Sequence, residues 1–300
     1  MQQKGYAGQE WVRDTRTPVP APPKKSSDCQ FHIYGDIQKY PIKENSLYQS
    51  PIGAAFDDAR GMLKRLGFER GVIVNPVPYD TDHQLIIDIL GGLSAEDRKN
   101  FRATGIVKDN VSDRAMEHLN SLGVRGARFN IGRKYQETHT IEAIKRSMDR
   151  TREIGWHAKI HVNGADIIEY GEFLSSIKNL TIVIDHMGHL DLSLGLKQPA
   201  CQWILKMLKN ENWWVLLSNG NRDSAMESGW DDAVPFGKAF IAAAPDRMIW
   251  GSDWPHVNWK KKMMNDAETV ELLYRYVDHD STLLQKILVD NPKKLYDFED

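Results

Sequence analysis

Cysteine is nearly absent: only Cys29 and Cys201 occur in 300 residues, too few for a disulfide framework or a cysteine zinc cluster and too far apart for any metal-ligand spacing. Both are expected to be buried free thiols in a reducing cytosol. An excess of either charge is also missing. With 39 basic and 41 acidic residues the net charge is −2, so no global field favours nucleic acid or an anionic membrane, and neither is expected as a partner. No apolar run approaches a membrane span, and the opening MQQKGYAGQEWVRD lacks the apolar segment of a secretory signal, so a cytoplasmic protein is expected. The sequons at Asn110 and Asn179 mean nothing without secretion. There is no G-x-G-x-x-G and no P-loop, which counts against a doubly wound nucleotide-binding sheet.

What is present is a chain 41% hydrophobic and 27% charged, enough to bury a large core. Residues 1–27 include TPVPAPPKK, whose prolines favour extended backbone. They read as an arm, able to wrap the domain or to pack on a second copy in a homo-oligomer. From residue 28 to 300 the chain reads as one domain. Eight short apolar runs, QFHIY, GVIVN, FRATGIV, GARFN, HAKIHV, LTIVID, WWVLLS and MIWGSD, look like strands. Helical stretches near 53–66, 81–92, 112–121, 140–154, 164–176, 198–209, 231–243 and 265–277 lie between or after them. Strict alternation implies right-handed βαβ units and a parallel sheet, and eight units close into a (β/α)8 TIM-like barrel.

In such a barrel the active site lies where the strands run out. Strand one ends with Gln30 and His32, strand four with Arg128 and Asn130, strand five with His161 and strand six with Asp185 and His186. Strand seven ends in Ser218-Asn219, and strand eight in Asp253 followed by Trp254-Pro255-His256. Period-two geometry puts Gln30 and His32 on one face, opposite Phe31, and His157, Lys159 and His161 together on another. Taken singly, each has an ordinary structural explanation: a helix cap, a surface charge, a hydrogen-bonded histidine. Several strands delivering His, Asp and Arg to one rim are hard to explain that way. His83, His118, His139 and His279 fall on helices or loops and read as structural.

The order of a strand-one xxH, then GARFN, IDHMG, IWGSDWPH and finally LVDNPKKLY resembles the amidohydrolase superfamily, in its branch of 2-pyrone-4,6-dicarboxylate lactonases. The resemblance runs from about residue 28 to the end. Metal-dependent members gather two strand-one histidines, one histidine each from strands five and six, and an aspartate of strand eight around one or two divalent ions. Carried over, this chain keeps His32, His161, His186 and Asp253 and has Gln30 at the first position. Those four would hold a single divalent ion such as zinc, if one is bound. The resembled lactonases work without a divalent metal, and an uncharged amide is a poor zinc ligand, so a metal-free site is expected.

By the same resemblance Asp253 is the base that activates water, while His186 and His32 donate to the carbonyl oxygen. Arg128, Arg133, Lys134 and Arg222 stand like carboxylate-binding cations, with the Arg-Lys order at 133–134 reversed from the branch. His161, where the lactonases carry tyrosine, is expected to orient substrate or serve as a ligand, and Asn130, His256 and Gln30 to support the pocket. The expected activity is hydrolysis of a small anionic lactone or pyrone, carboxylated or sulfonated, from catabolism of aromatics or sugar acids. Lactone isomerisation and decarboxylation on the same barrel are the alternatives, followed by a non-catalytic anion-binding barrel.

Overall fold

The computed structural model describes residues 9–43, 46, 53–132 and 140–299. Eight strands, β1 (Ser27–Phe31), β2 (Arg70–Val74), β3 (Phe101–Ile106), β4 (Val124–Asn130), β5 (His157–His161), β6 (Ile182–Ile184), β7 (Trp213–Leu217) and β8 (Met248–Trp250), pair in chain order, all parallel. Closure happens just past β8. Asp253 N donates to Gln30 O and His32 N to Trp254 O, both at 2.8 Å. A side chain at Gly251 would put its Cβ 2.5 Å from that of Gln30, so the absence of one lets the last strand close on the first.

Among the described residues twelve α-helices accompany the strands: α1 (Phe56–Leu66), α2 (Gln84–Gly92), α3 (Ala95–Asn100), α4 (Asp113–Leu122), α5 (Ile141–Glu153), α6 (Gly164–Ser176), α7 (Pro199–Met207), α8 (Gly220–Asp223), α9 (Val234–Ala243), α10 (Asp266–Tyr276), α11 (Ser281–Gln285) and α12 (Asn291–Tyr296). Their starts follow from capping. Ser112, Thr140 and Asn163 each accept the backbone N–H three residues on, opening α4, α5 and α6. Helix α1 buries Ala59, Met62, Leu63 and Leu66, one face at 3.6-residue period. The alternation expected from the sequence is therefore present, with differences at short elements. The first strand begins at Ser27 and ends before His32, and the six-residue α3 and four-residue α8 are additions that periodicity is too short to reveal.

Two apolar clusters form. The larger lies between strands and helices. The smaller fills the barrel interior with Cys29, Val72, Val183, Trp214, Leu216 and Ile249, joined by Tyr296 and Phe298 from the C-terminal segment. Both cysteines are buried and free. Residues 9–26 form neither helix nor strand; Trp11 meets Trp254 edge-on at 4.9 Å, and the Thr15 hydroxyl donates to Asp266 at 2.9 Å. No helix among the described residues is long and apolar enough to cross a membrane.

Candidate active site

The C-terminal mouth of the barrel is where backbone strain concentrates. His186, His189, Asn219, Asp253 and His256 all carry positive φ without being glycine, an arrangement that costs free energy and is typical of functional loops. These left-handed turns swing side chains back over the mouth.

Asp253 is the centre of one group. Its Oδ2 accepts from Asn219 Nδ2 at 3.0 Å and lies 3.4 Å from Arg222 Nη2. Its Oδ1 faces His32 Nε2 at 3.5 Å and His186 Nε2 at 3.8 Å. Burial pushes this carboxyl up, but His186, His32 and Arg222 outweigh it and hold the group well below the usual carboxylate range. His186 moves the other way. Burial, reinforced by the neighbouring His189, Arg128 and Lys159, holds its ring well below the usual histidine value against the pull of Asp253. The ring is therefore neutral at neutral pH, and the contacts of Asn219 and Arg222 with Oδ2 keep Asp253 ionised. The Ser218 hydroxyl lies 2.7 Å from His186 Nδ1; donating there, it leaves the ring proton on Nε2, toward Asp253.

A second group lies deeper. The register pairs Arg128 with Lys159 across β4 and β5. Asp185 sits between them, 3.4 Å from Arg128 Nε and 3.5 Å from Lys159 Nζ, all three nearly without exposure. Lys159 also donates to Cys29 O at 3.0 Å and to Gln30 Oε1. Gln30 Nε2 in turn faces His32 Nε2 at 3.3 Å, and His32 Nδ1 lies 2.8 Å from Val74 O.

Several expected roles change with this geometry. A carbonyl only accepts, so His32 Nδ1 carries a proton, and in the neutral ring Nε2 is an acceptor. His32 is then no donor to a substrate carbonyl, and that role narrows to His186. Arg128 is not an open cation at the rim: it is 5% exposed and committed to Asp185 and to His161 Nδ1, 3.1 Å away. Arg222 is the partly exposed cation beside Asp253, stacked 5.3 Å from the Trp259 ring centre. His256 binds Asp266 at 2.7 Å and supports the loop after β8 from behind. Asn130 is buried, and its Oδ1 finds no partner among the described residues. Arg133 and Lys134 lie outside the described residues.

His189, three residues after His186, was not anticipated. Its Nδ1 meets both oxygens of Asp223 at 3.0 and 3.1 Å. The spacing His-Met-Gly-His was the available signal; the left-handed backbone that turns it inward was not. His161, His186 and His189 bring three ligand atoms within 4.8 Å of one another, a group that could hold a metal ion. This differs from the set expected from the superfamily, in which His32 and Asp253 would take part. Of the superfamily positions, the one at the end of β1 does not fit an ion. His32 Nε2 is opposed by the amide N–H of Gln30, which occupies its lone pair.

The amidohydrolase family matches over residues 27–298. The chain is 31% identical over 279 residues to a 4-sulfomuconolactone hydrolase of Rhizobium radiobacter, covering 91% of this chain and 90% of the relative. It is 28% identical over 296 residues to a 2-pyrone-4,6-dicarboxylate hydrolase of Comamonas testosteroni, covering 96% and 95%. A D-galactarolactone isomerase of Agrobacterium fabrum is 24% identical over 284 residues, covering 93% of each. The crystal structure of an Agrobacterium tumefaciens protein, 23% identical, shares the fold with a TM-score of 0.81 over 94% of this chain and 99% of that one. An eight-stranded parallel barrel, a rim of His and Asp at its C-terminal mouth and a match over almost the whole length have one reading: the chain belongs to the amidohydrolase family.

Proposed function

We propose that this protein hydrolyses the ester of a small anionic lactone or pyrone, with water activated by Asp253. The observation that carries the reading is a buried, ionised aspartate with one oxygen held by Asn219 and Arg222 and the other turned toward two histidines. Oδ1 takes a proton from water as its oxygen attacks the carbonyl carbon. His186, neutral and with its proton on Nε2, donates to the oxygen as it becomes negative. The carbonyl then re-forms, the ring C–O bond breaks, and Asp253 returns the proton to the departing ring oxygen. No step passes through a metal.

Substrate charge is read by Arg222, whose guanidinium is exposed enough to fork onto a carboxylate or sulfonate. Relatives of this chain act on a sulfonated muconolactone and on a pyrone dicarboxylate. The test is a panel of anionic lactones assayed by proton release, since opening the ring yields an acid. Turnover by the wild type and its loss in Asp253→Asn are expected; turnover of no lactone, or undiminished turnover by the variant, rejects the reading.

A second reading, acyl migration within a lactone, is favoured by the isomerase relative. Isomerisation consumes no water and releases no proton. Reaction in H2(18)O separates the two: label in the product carboxylate marks hydrolysis.

A further inference from the structure

We propose that Lys159 is a positioning residue that keeps the metal position at the end of β1 closed, by locking the amide of Gln30 against His32. Lys159 lies two residues before His161 on β5, yet its contacts are across the barrel, at Cys29 O and Gln30 Oε1. It has no measurable exposure, so water cannot compete for these bonds. The orientation of Gln30 follows. An amide has one accepting end and one donating end, and Lys159 can only donate. With Oε1 held by Lys159, the NH2 must point the other way, where His32 Nε2 lies 3.3 Å off. Acceptors alone surround Nζ: Cys29 O, Gln30 Oε1, and Asp185 Oδ1 at 3.5 Å, one for each of the three N–H donors of an ammonium.

The consequence is a change of chemistry at one atom. The His32 lone pair that would bind a divalent ion is occupied by an N–H, held there by a side chain 129 residues away. Replacing Gln30 alone with histidine does not reopen the position, because Lys159 remains aimed at the introduced imidazole and its N–H donors compete for the ring nitrogen. Both changes are needed. Asp185 and Arg128 stay paired with each other when Lys159 is removed.

The test counts zinc. Metal-stripped full-length chains carrying Gln30→His, Lys159→Met or both are dialysed against buffered zinc, and bound zinc and its affinity are measured. All carry His189→Asn, so the neighbouring three-histidine group is not counted. Gln30→His alone is expected to stay within about threefold of its parent, and the combination to gain at least a further ~10-fold and bind one zinc per chain. If Gln30→His alone binds as tightly as the combination, the lock does not exist. Should the combination fail to fold, the wild-type chain still decides. Its 15N spectrum is expected to show His32 protonated on Nδ1, bare at Nε2 and unmoved by excess zinc; a proton on Nε2, or a zinc-induced shift of His32, overturns the proposal.

Discussion

The two halves of the barrel mouth use buried charge in opposite ways. On the β7–β8 side, Asp253 is gripped through one oxygen and left with the other facing two rings at 3.5 and 3.8 Å, too far for strong hydrogen bonds. On the β1–β4–β5 side, Asp185 balances Arg128 and Lys159, and Lys159 spends its remaining donors on Gln30 and a backbone carbonyl. The first arrangement leaves an ionised acceptor able to take a proton. The second sets its charges against one another and holds its neighbours in place. Buried ion pairs of this kind add little net stability but are costly to break, so removing one member exposes the cost of the others.

That contrast breaks most sharply at the two aspartates. Asp253→Asn keeps the shape and removes the base. A fall in kcat of about 10²–10⁴-fold is expected, with a loss of stability smaller than that at Asp185, since a carboxyl held below its usual range stabilises the fold while ionised. Asp185→Asn should do the reverse. Two buried cations lose their counter-charge, and stability measured by urea unfolding should drop by about 3–5 kcal/mol. Equal losses of activity and stability in both variants would mean that the halves are one network.

How much of this was readable before folding depends on the range of the interactions. Strand order and the helix starts are local, set by short apolar runs and caps such as Ser112 and Thr140, and were legible. So was the collection of His32, His186 and Asp253 at the strand ends, since in a barrel the end of a strand fixes an address. The hydrogen-bond roles were not. Whether His32 donates or accepts depends on Val74 and Gln30, and the amide of Gln30 on Lys159 far along the chain. Arg128 looked like a rim cation because sequence does not say which way a side chain leans; Asp185, reached only when β6 packs beside β5, turns it inward. Asp223 was hidden by the shortness of α8, whose single turn sends Arg222 to Asp253 and Asp223 to His189.

A third variant sharpens the floor's character through pH. Asp28 is fully buried; its Oδ1 accepts from Gln30 N and Ser252 N, while Oδ2 has no partner among the described residues. Burial, opposed by those hydrogen bonds, pushes its carboxyl up to about 7. The unfolded value is near 4, so the folded chain holds this proton more tightly. Its contribution is complete below pH ~4, fades as pH rises and is gone above pH ~7, with a slope of up to about 1.4 kcal/mol per pH unit. Asp28→Asn should remove that part of the slope. Urea unfolding at pH 4.5 and 7.5 checks it: the wild-type chain should lose up to a few kcal/mol more than the variant between the two.

The smallest expected effect belongs to Arg222, the residue both readings of the β7–β8 side depend on. If it binds substrate charge, Arg222→Ala should lower kcat/KM for a dianionic lactone by about 10–100-fold, mostly through KM, and should affect a neutral lactone far less. If its main work is to keep Asp253 ionised, the same variant should raise the lower pKa of the kcat/KM profile, because a cation 3.4 Å from Oδ2 is lost. It should then slow neutral and anionic substrates alike. Arg222→Lys divides these further, since an ammonium keeps the charge near Asp253 but cannot form two parallel bonds to a carboxylate. Recovery of the pH profile without recovery of KM would assign the guanidinium's shape to the substrate and its charge to the base.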